Sequence, residues 1–208
     1  MTKRLGWFVF GICAIAIGLY PLIYFVIDRK FGLLGTKPDY LLNDVLWNFG
    51  FYGHIIPGGL ALLVGWTQFS SKLRRQRLNL HRSLGKLYLV CVIISGFCGL
   101  YIAQYATGGL VSKIGFACLA IIWLISTLLA FSAIKKGNLN NHQDLMILSF
   151  AVCFAAVTLR IWLPLLTKVL GGFDKAYPIV AWLCWVPNTI VALLIIKNQQ
   201  TKRRKLID

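Results

Sequence analysis

The chain has 208 residues, of which 58% are hydrophobic and only 13% charged, where soluble domains carry about 25% charge. A water-soluble fold could not hide that much apolar surface, so lipid must be part of the solvent. The formal charge of +16 falls in loops and tails between apolar runs. It therefore reads as an orientation signal and a contact with anionic lipid rather than as a nucleic-acid surface.

The predicted fold class is all-α, an integral membrane bundle of six transmembrane helices. With no room for sizeable loops, residues 1–208 are expected to form a single transmembrane domain. Span one covers about 5–27. It is too long for a signal-peptide core and has no small-x-small cleavage site, so it is expected to stay as an anchor. A loop holding Asp28, Pro38, Asp39 and Asp44 follows, with room for a short interfacial helix. Span two covers about 45–69. A basic loop comes next, with Lys72, Arg74, Arg75, Arg77 and Arg82 inside eleven residues. Spans three to six cover about 84–106, 114–134, 145–166 and 177–196. A basic tail closes the chain.

Six crossings put both termini on one side. Lys and Arg number two before span one, six after span two, two after span four and five in the tail. The opposite side has six, and Arg160 lies within span five. The bias predicts that both termini face the cytoplasm. All six acids are Asp. None is expected within a span, which argues against a carboxylate proton relay. Cys13, Cys91, Cys98, Cys118, Cys153 and Cys184 lie in apolar runs without a CxxC pair. They read as small buried hydrophobes, with no disulfide framework.

Membrane helices pack through small residues, because lipid supplies no hydrophobic drive between helices. Span two carries such a face: Gly50, His54, Gly58, Ala61, Gly65 and Gln68. Their spacing keeps to one side of a helix, and Pro57 is expected to kink it. Span three presents His81, Gly85, Tyr88, Val92, Ser95 and Gly99. Span five presents Ser149, Cys153, Ala156, Arg160 and Pro164. Span six presents Tyr177, Ala181, Cys184 and Asn188.

These faces predict two polar layers. His54 and Arg160 fall at similar depth near the outer boundary. Gln68, His81, Arg82, His142 and Asp144 gather at the inner ends, about 20 Å away along span two. Arg160 is the sharpest candidate, because a charge within a span costs several kcal/mol and marks a functional site by default. It must meet carbonyls, an external Asp or a bound anion. His54, Arg160, Asn188, Gln68 and Arg82 are the candidate ligand-binding residues. Asn188 and Gln104 also suit helix-helix hydrogen bonding. His81 and His142 are expected to open their helices, with Ser83 or Asp144 as caps. They are the candidate metal ligands, as an axial pair for haem b, with Arg82 meeting a propionate; anion docking is the other role open to them. No Ser-His-Asp set, phosphate loop or HExxH motif is present.

Several strings together resemble a known family. They are His54-Ile-Ile-Pro-Gly-Gly with Gln68, Leu80-His-Arg-Ser-Leu-Gly85 with Tyr88, Gly108-Gly, Gly115-Phe, His142, Ala155-Ala-Val-Thr-Leu-Arg160 and Trp182-Leu-Cys-Trp-Val-Pro-Asn188. The chain is similar to the bacterial predicted-membrane-protein family, the domain of unknown function numbered twenty-three-oh-six. The resemblance covers about 48–188, and it implies that His54, His81, Arg82, His142 and Arg160 match positions in the family pattern. The chain departs at His142-Gln-Asp-Leu-Met146, where the resemblance implies a basic residue after the histidine and a Trp before the methionine.

Three readings stay open. The first is an integral inner-membrane protein of unknown function, acting as a non-catalytic membrane subunit or assembly factor. The second is a b-type haem or quinone-linked redox protein. A six-helix bundle with inward histidines is similar in plan to the cytochrome b561 class, but three histidines allow one bis-histidine haem at most. The third is a transporter or binder of a small anionic ligand. The expected partners are the lipid bilayer and a second copy or a membrane partner subunit, with no nucleic acid.

Overall fold

The computed structural model describes residues 2–27 and 30–205. Asp28, Arg29 and Asp208, which the sequence assigns to a loop and the tail, lie outside the described residues. Among the described residues the secondary structure is helical, without strand. Six helical segments are long and apolar enough to cross a bilayer: Leu5–Val26, Val45–Phe69, Leu78–Ala103, Gly109–Lys135, Leu139–Leu170 and Phe173–Arg204. The six predicted spans are all present. Several helices are longer than expected, because apolar patterning marks only the lipid-immersed part. The helix itself continues into polar residues at either end.

The chain divides into two compact units, Met1–Tyr105 and Ala106–Asp208. In the first, α1 (Thr2–Leu19) leads through a 3-10 turn at Tyr20–Leu22 into α2 (Ile23–Val26). The loop contains a 3-10 turn, Gly32–Thr36, and the short helix α3 (Asp39–Leu42). Leu34, Leu41 and Leu42 of this loop pack with Tyr24, Trp47 and Phe51, so the expected interfacial helix exists and is held by apolar burial. Lys37 Nζ donates to the Tyr105 carbonyl at 2.6 Å and ties the loop to the chain just past α6. Burial pushes this ammonium below the ordinary lysine value.

α4 (Val45–Gly65) is the central helix of this unit and packs against both α6 (Leu78–Ala103) and α1. Asp44 caps it by accepting from the backbone amides of Leu46 and Trp47. Its predicted small-residue face meets α6: a Cβ on Gly50 would strike the Tyr101 ring, and one on Gly58 would come within 3.0 Å of Ser95 Oγ. A second seam went unpredicted. A Cβ on Gly18 would lie 2.9 Å from the Gly59 carbonyl oxygen, so α1 and α4 approach backbone to backbone. Pro57 lies inside α4, which stays helical through it.

Span three starts at Leu78, not near 84, and the basic loop contains the helix α5 (Ser71–Gln76). His81 and Arg82 therefore stand in the first turns of α6 rather than ahead of it. Ser83 is not its cap, because the N-cap position is Arg77. On the inner face of α6, Tyr88, Val92 and Ser95 are fully buried, as the spacing predicts.

The second unit begins where Gly108 and Gly109 turn the chain with φ of +88° and +70°, a left-handed region that favours glycine. α7 (Gly109–Lys135) follows and pairs with α8 (Leu139–Cys153). Asn138 caps α8 by accepting from the Asn141 amide at 3.0 Å, so Asp144 is not the cap. Asp144 instead lies in the second turn of α8, at the polar end of the fifth helical segment.

Spans five and six are both discontinuous. Span five breaks at Phe154 into α8 and α9 (Ala155–Leu170). Span six breaks at Cys184 and Trp185 into α10 (Phe173–Leu183) and α11 (Val186–Arg204). The break at Phe154 resets the helical face. Ser149 and Cys153 are buried as predicted, whereas in α9 the buried residues are Ala155 and Val157. Ala156 and Arg160 are half-buried and Pro164 is exposed. On span six, Tyr177, Ala181 and Cys184 are buried as expected.

Candidate functional site

His54 sits midway along α4, opposite Ser95 and Gly99 of α6. Its Nδ1 is 2.9 Å from the Ser95 carbonyl oxygen and 3.1 Å from Ser95 Oγ, and that hydroxyl donates to the His54 carbonyl at 2.7 Å. The carbonyl contact assigns the proton to Nδ1. A Cβ on Gly99 would come within 2.9 Å of the same nitrogen, so glycine makes room for the ring. The predicted inward histidine is thus part of the α4–α6 interface.

Gln68 lies in the 3-10 turn Trp66–Phe69 that ends span two, with 8% of its surface exposed. Its Nε2 donates to Thr67 Oγ1 at 3.3 Å, and its carbonyl accepts from Arg74 Nη1 at 2.9 Å. Arg82 is exposed and His81 half-buried.

In the second unit, His142 Nδ1 lies 2.9 Å from the Ala130 carbonyl of α7. With the proton on Nδ1, the ring presents Nε2 as an acceptor, the tautomer in which a backbone-held histidine ligates a metal. Two residues on, Asp144 forms an ion pair with Arg203 at 3.0 Å and accepts from Gln200 Nε2 at 2.9 Å. Arg203 also reaches Gln143 and Gln199. The tail of α11 is therefore bolted to the start of α8. Nothing in the spacing signalled that partnership, because the pair is separated by 59 positions.

Asn188 lies beside the two helix breaks. Its Nδ2 meets the Ala151 carbonyl at 3.2 Å, Thr158 Oγ1 at 3.1 Å and the Cys184 carbonyl at 3.1 Å. Thr158 donates to the Cys184 carbonyl across the same gap. One amide and one hydroxyl thus satisfy backbone acceptors that discontinuous helices expose inside a span. Thr158 had no assigned role in the sequence. Its signal was its place two residues before Arg160, in a stretch otherwise apolar.

Arg160 is half-buried on α9, whose Leu159, Trp162, Leu163 and Leu166 side chains pack into the core of this unit. Its Nη1 donates to the Ala156 carbonyl at 2.8 Å, so one of the carbonyls that it was predicted to meet lies in its own helix. A buried pair of hydroxyls, Thr127 Oγ1 and Ser149 Oγ at 2.6 Å, links α7 to α8. Among the described residues, no group of three or more His, Cys, Asp or Glu side chains is placed to hold a metal ion. The structure joins His54 to Ser95, His142 to α7 and Asn188 to Thr158. His54, Gln68, His81 and Arg82 belong to the first unit, and His142, Arg160 and Asn188 to the second.

No curated protein and no solved structure matches the chain. A family model described as a predicted membrane protein (DUF2306) matches residues 51–196, and the chain belongs to that family, whose function is unknown.

Proposed function

We propose that this chain is a non-catalytic membrane subunit or assembly factor of the bacterial inner membrane, with both termini in the cytoplasm. The whole chain acts as one transmembrane domain and docks to a membrane partner subunit or to a second copy of itself. One observation carries this reading: four polar side chains of the spans end on neighbouring helices of their own unit. His54 meets Ser95, Asn188 meets Ala151 and Thr158, His142 meets Ala130, and Asp144 meets Arg203. Groups engaged in this way fix helix positions, and that is their ordinary role in lipid. The Lys and Arg bias of the short loops supports the orientation.

A second reading, a b-type haem protein with His142 as an axial ligand, draws support from the His142 ring held through Nδ1 by the Ala130 carbonyl. Haem would supply one-electron redox chemistry there. The visible spectrum of the purified full-length protein separates the two. The subunit reading expects no Soret band and no stabilisation by small anions. A Soret band lost in His142→Ala, and kept in His54→Ala, overturns it in favour of haem. Anion-dependent stabilisation that disappears in Arg160→Ala overturns it in favour of a ligand-binding protein.

A further inference from the structure

We infer that the junction of α5 and α6 is a docking surface for the anionic headgroups of phospholipids in the leaflet it faces. α5 ends at Gln76, Arg77 joins the two helices, and α6 begins at Leu78. Lys72, Arg75, Arg77 and Arg82 are all exposed around this joint. Set among them, Leu78 and Leu80 are 46% and 42% exposed. Apolar side chains interleaved with cations are the composition of an interfacial segment. The leucines enter the acyl boundary and the cations meet phosphate. Guanidinium groups suit phosphate because their fork of donors matches its oxygens.

Among the described residues, the positive charge has no counterweight at this end of the unit. No Asp or Glu lies between Asp44 and Asp144 in the sequence. Asp39 and Asp44 sit before the start of α4, about 30 Å from its other end by helical rise. That is several screening lengths at physiological salt. The neighbouring cation Arg74 serves a different purpose. Its Nη1 holds the Gln68 carbonyl at 2.9 Å, which fixes α5 to the end of span two and presents the remaining cations outward. The tail of the second unit is a contrast, since Arg203 there is matched by Asp144.

The test titrates the full-length protein in neutral detergent with phosphatidylglycerol or phosphatidylcholine and reads the unfolding midpoint. Phosphatidylglycerol raises the midpoint, phosphatidylcholine does not, and added salt weakens the response. The triple variant Arg75→Gln, Arg77→Gln, Arg82→Gln loses roughly a hundredfold in apparent affinity for phosphatidylglycerol. The same three positions changed to Lys retain most of it. Equal responses to the two lipids, or wild-type affinity in the glutamine variant, overturn the inference. Equal stabilisation by inorganic phosphate alone also overturns it, because the site then takes free phosphate. If the glutamine variant does not fold, the salt series on the wild-type protein decides, and a salt-insensitive response sinks the proposal.

Discussion

His54 and Ser95 exchange contacts both ways across the α4–α6 interface, and each is held by a group that lipid cannot replace. Interhelical hydrogen bonds in lipid are worth about 0.6 kcal/mol on average and up to about 1.7 kcal/mol. Ser95 is fully buried, and its hydroxyl contacts both the His54 ring and the His54 carbonyl. Ser95→Ala removes the hydroxyl with almost no change of volume, so a loss of about 1 kcal/mol is expected in equilibrium unfolding in detergent. Gly99→Ala attacks the same contact from the other side, because its Cβ would come within 2.9 Å of His54 Nδ1. The double variant should cost less than the sum of the single ones, since both disturb one contact. Strict additivity would show that the histidine and the serine do not act together. The face bearing His54 was legible in the sequence because its small residues recur at helical spacing. The partner atom was not, since spacing indicates the side a group faces and not which carbonyl it meets.

Helix continuity was the least legible feature. Spans five and six read as unbroken apolar runs, yet both break in the structure. Span six carried a signal in Pro187, which lacks an amide hydrogen and disfavours helical backbone at the residue before it. Phe154 carried none: no Gly or Pro adjoins it, and the break is satisfied by a tertiary hydrogen bond from Asn188. A tertiary cause of this kind leaves no local trace. It follows that Asn188 supports backbone as well as linking helices. Asn188→Leu leaves the Ala151 carbonyl without this donor and the Cys184 carbonyl with Thr158 alone, at a cost of about 1–3 kcal/mol. Thr201→Val, which loses one hydroxyl bond to its own helix, is the fitting comparison and should cost less. Measured unfolding energies in the reverse order would remove the support role.

At the scale of the whole chain, the number of crossings was the most legible property, because apolar length adds up over some twenty residues and tolerates local error. The division into two units was not legible, since it depends on which helices share contacts and apolar runs look alike. Sidedness follows from a different quantity, the uneven distribution of Lys and Arg among short loops. Thr36 lies between the first two helical spans, and Lys136 lies after the fourth. Three crossings separate them, so they must face opposite sides of the membrane. The charge bias assigns Lys136 and the tail to the cytoplasm and Thr36 to the exterior. A single cysteine at each position, in a background with the six native cysteines replaced, tests this with a membrane-impermeant maleimide. Thr36→Cys should label in intact cells, and Lys136→Cys and Lys205→Cys only after permeabilisation. The reverse pattern would invert the topology while leaving the six spans intact. Labelling of Thr36→Cys and Lys136→Cys from the same side would break the crossing count itself. Every orientation argument made from the charged loops would then fail with it.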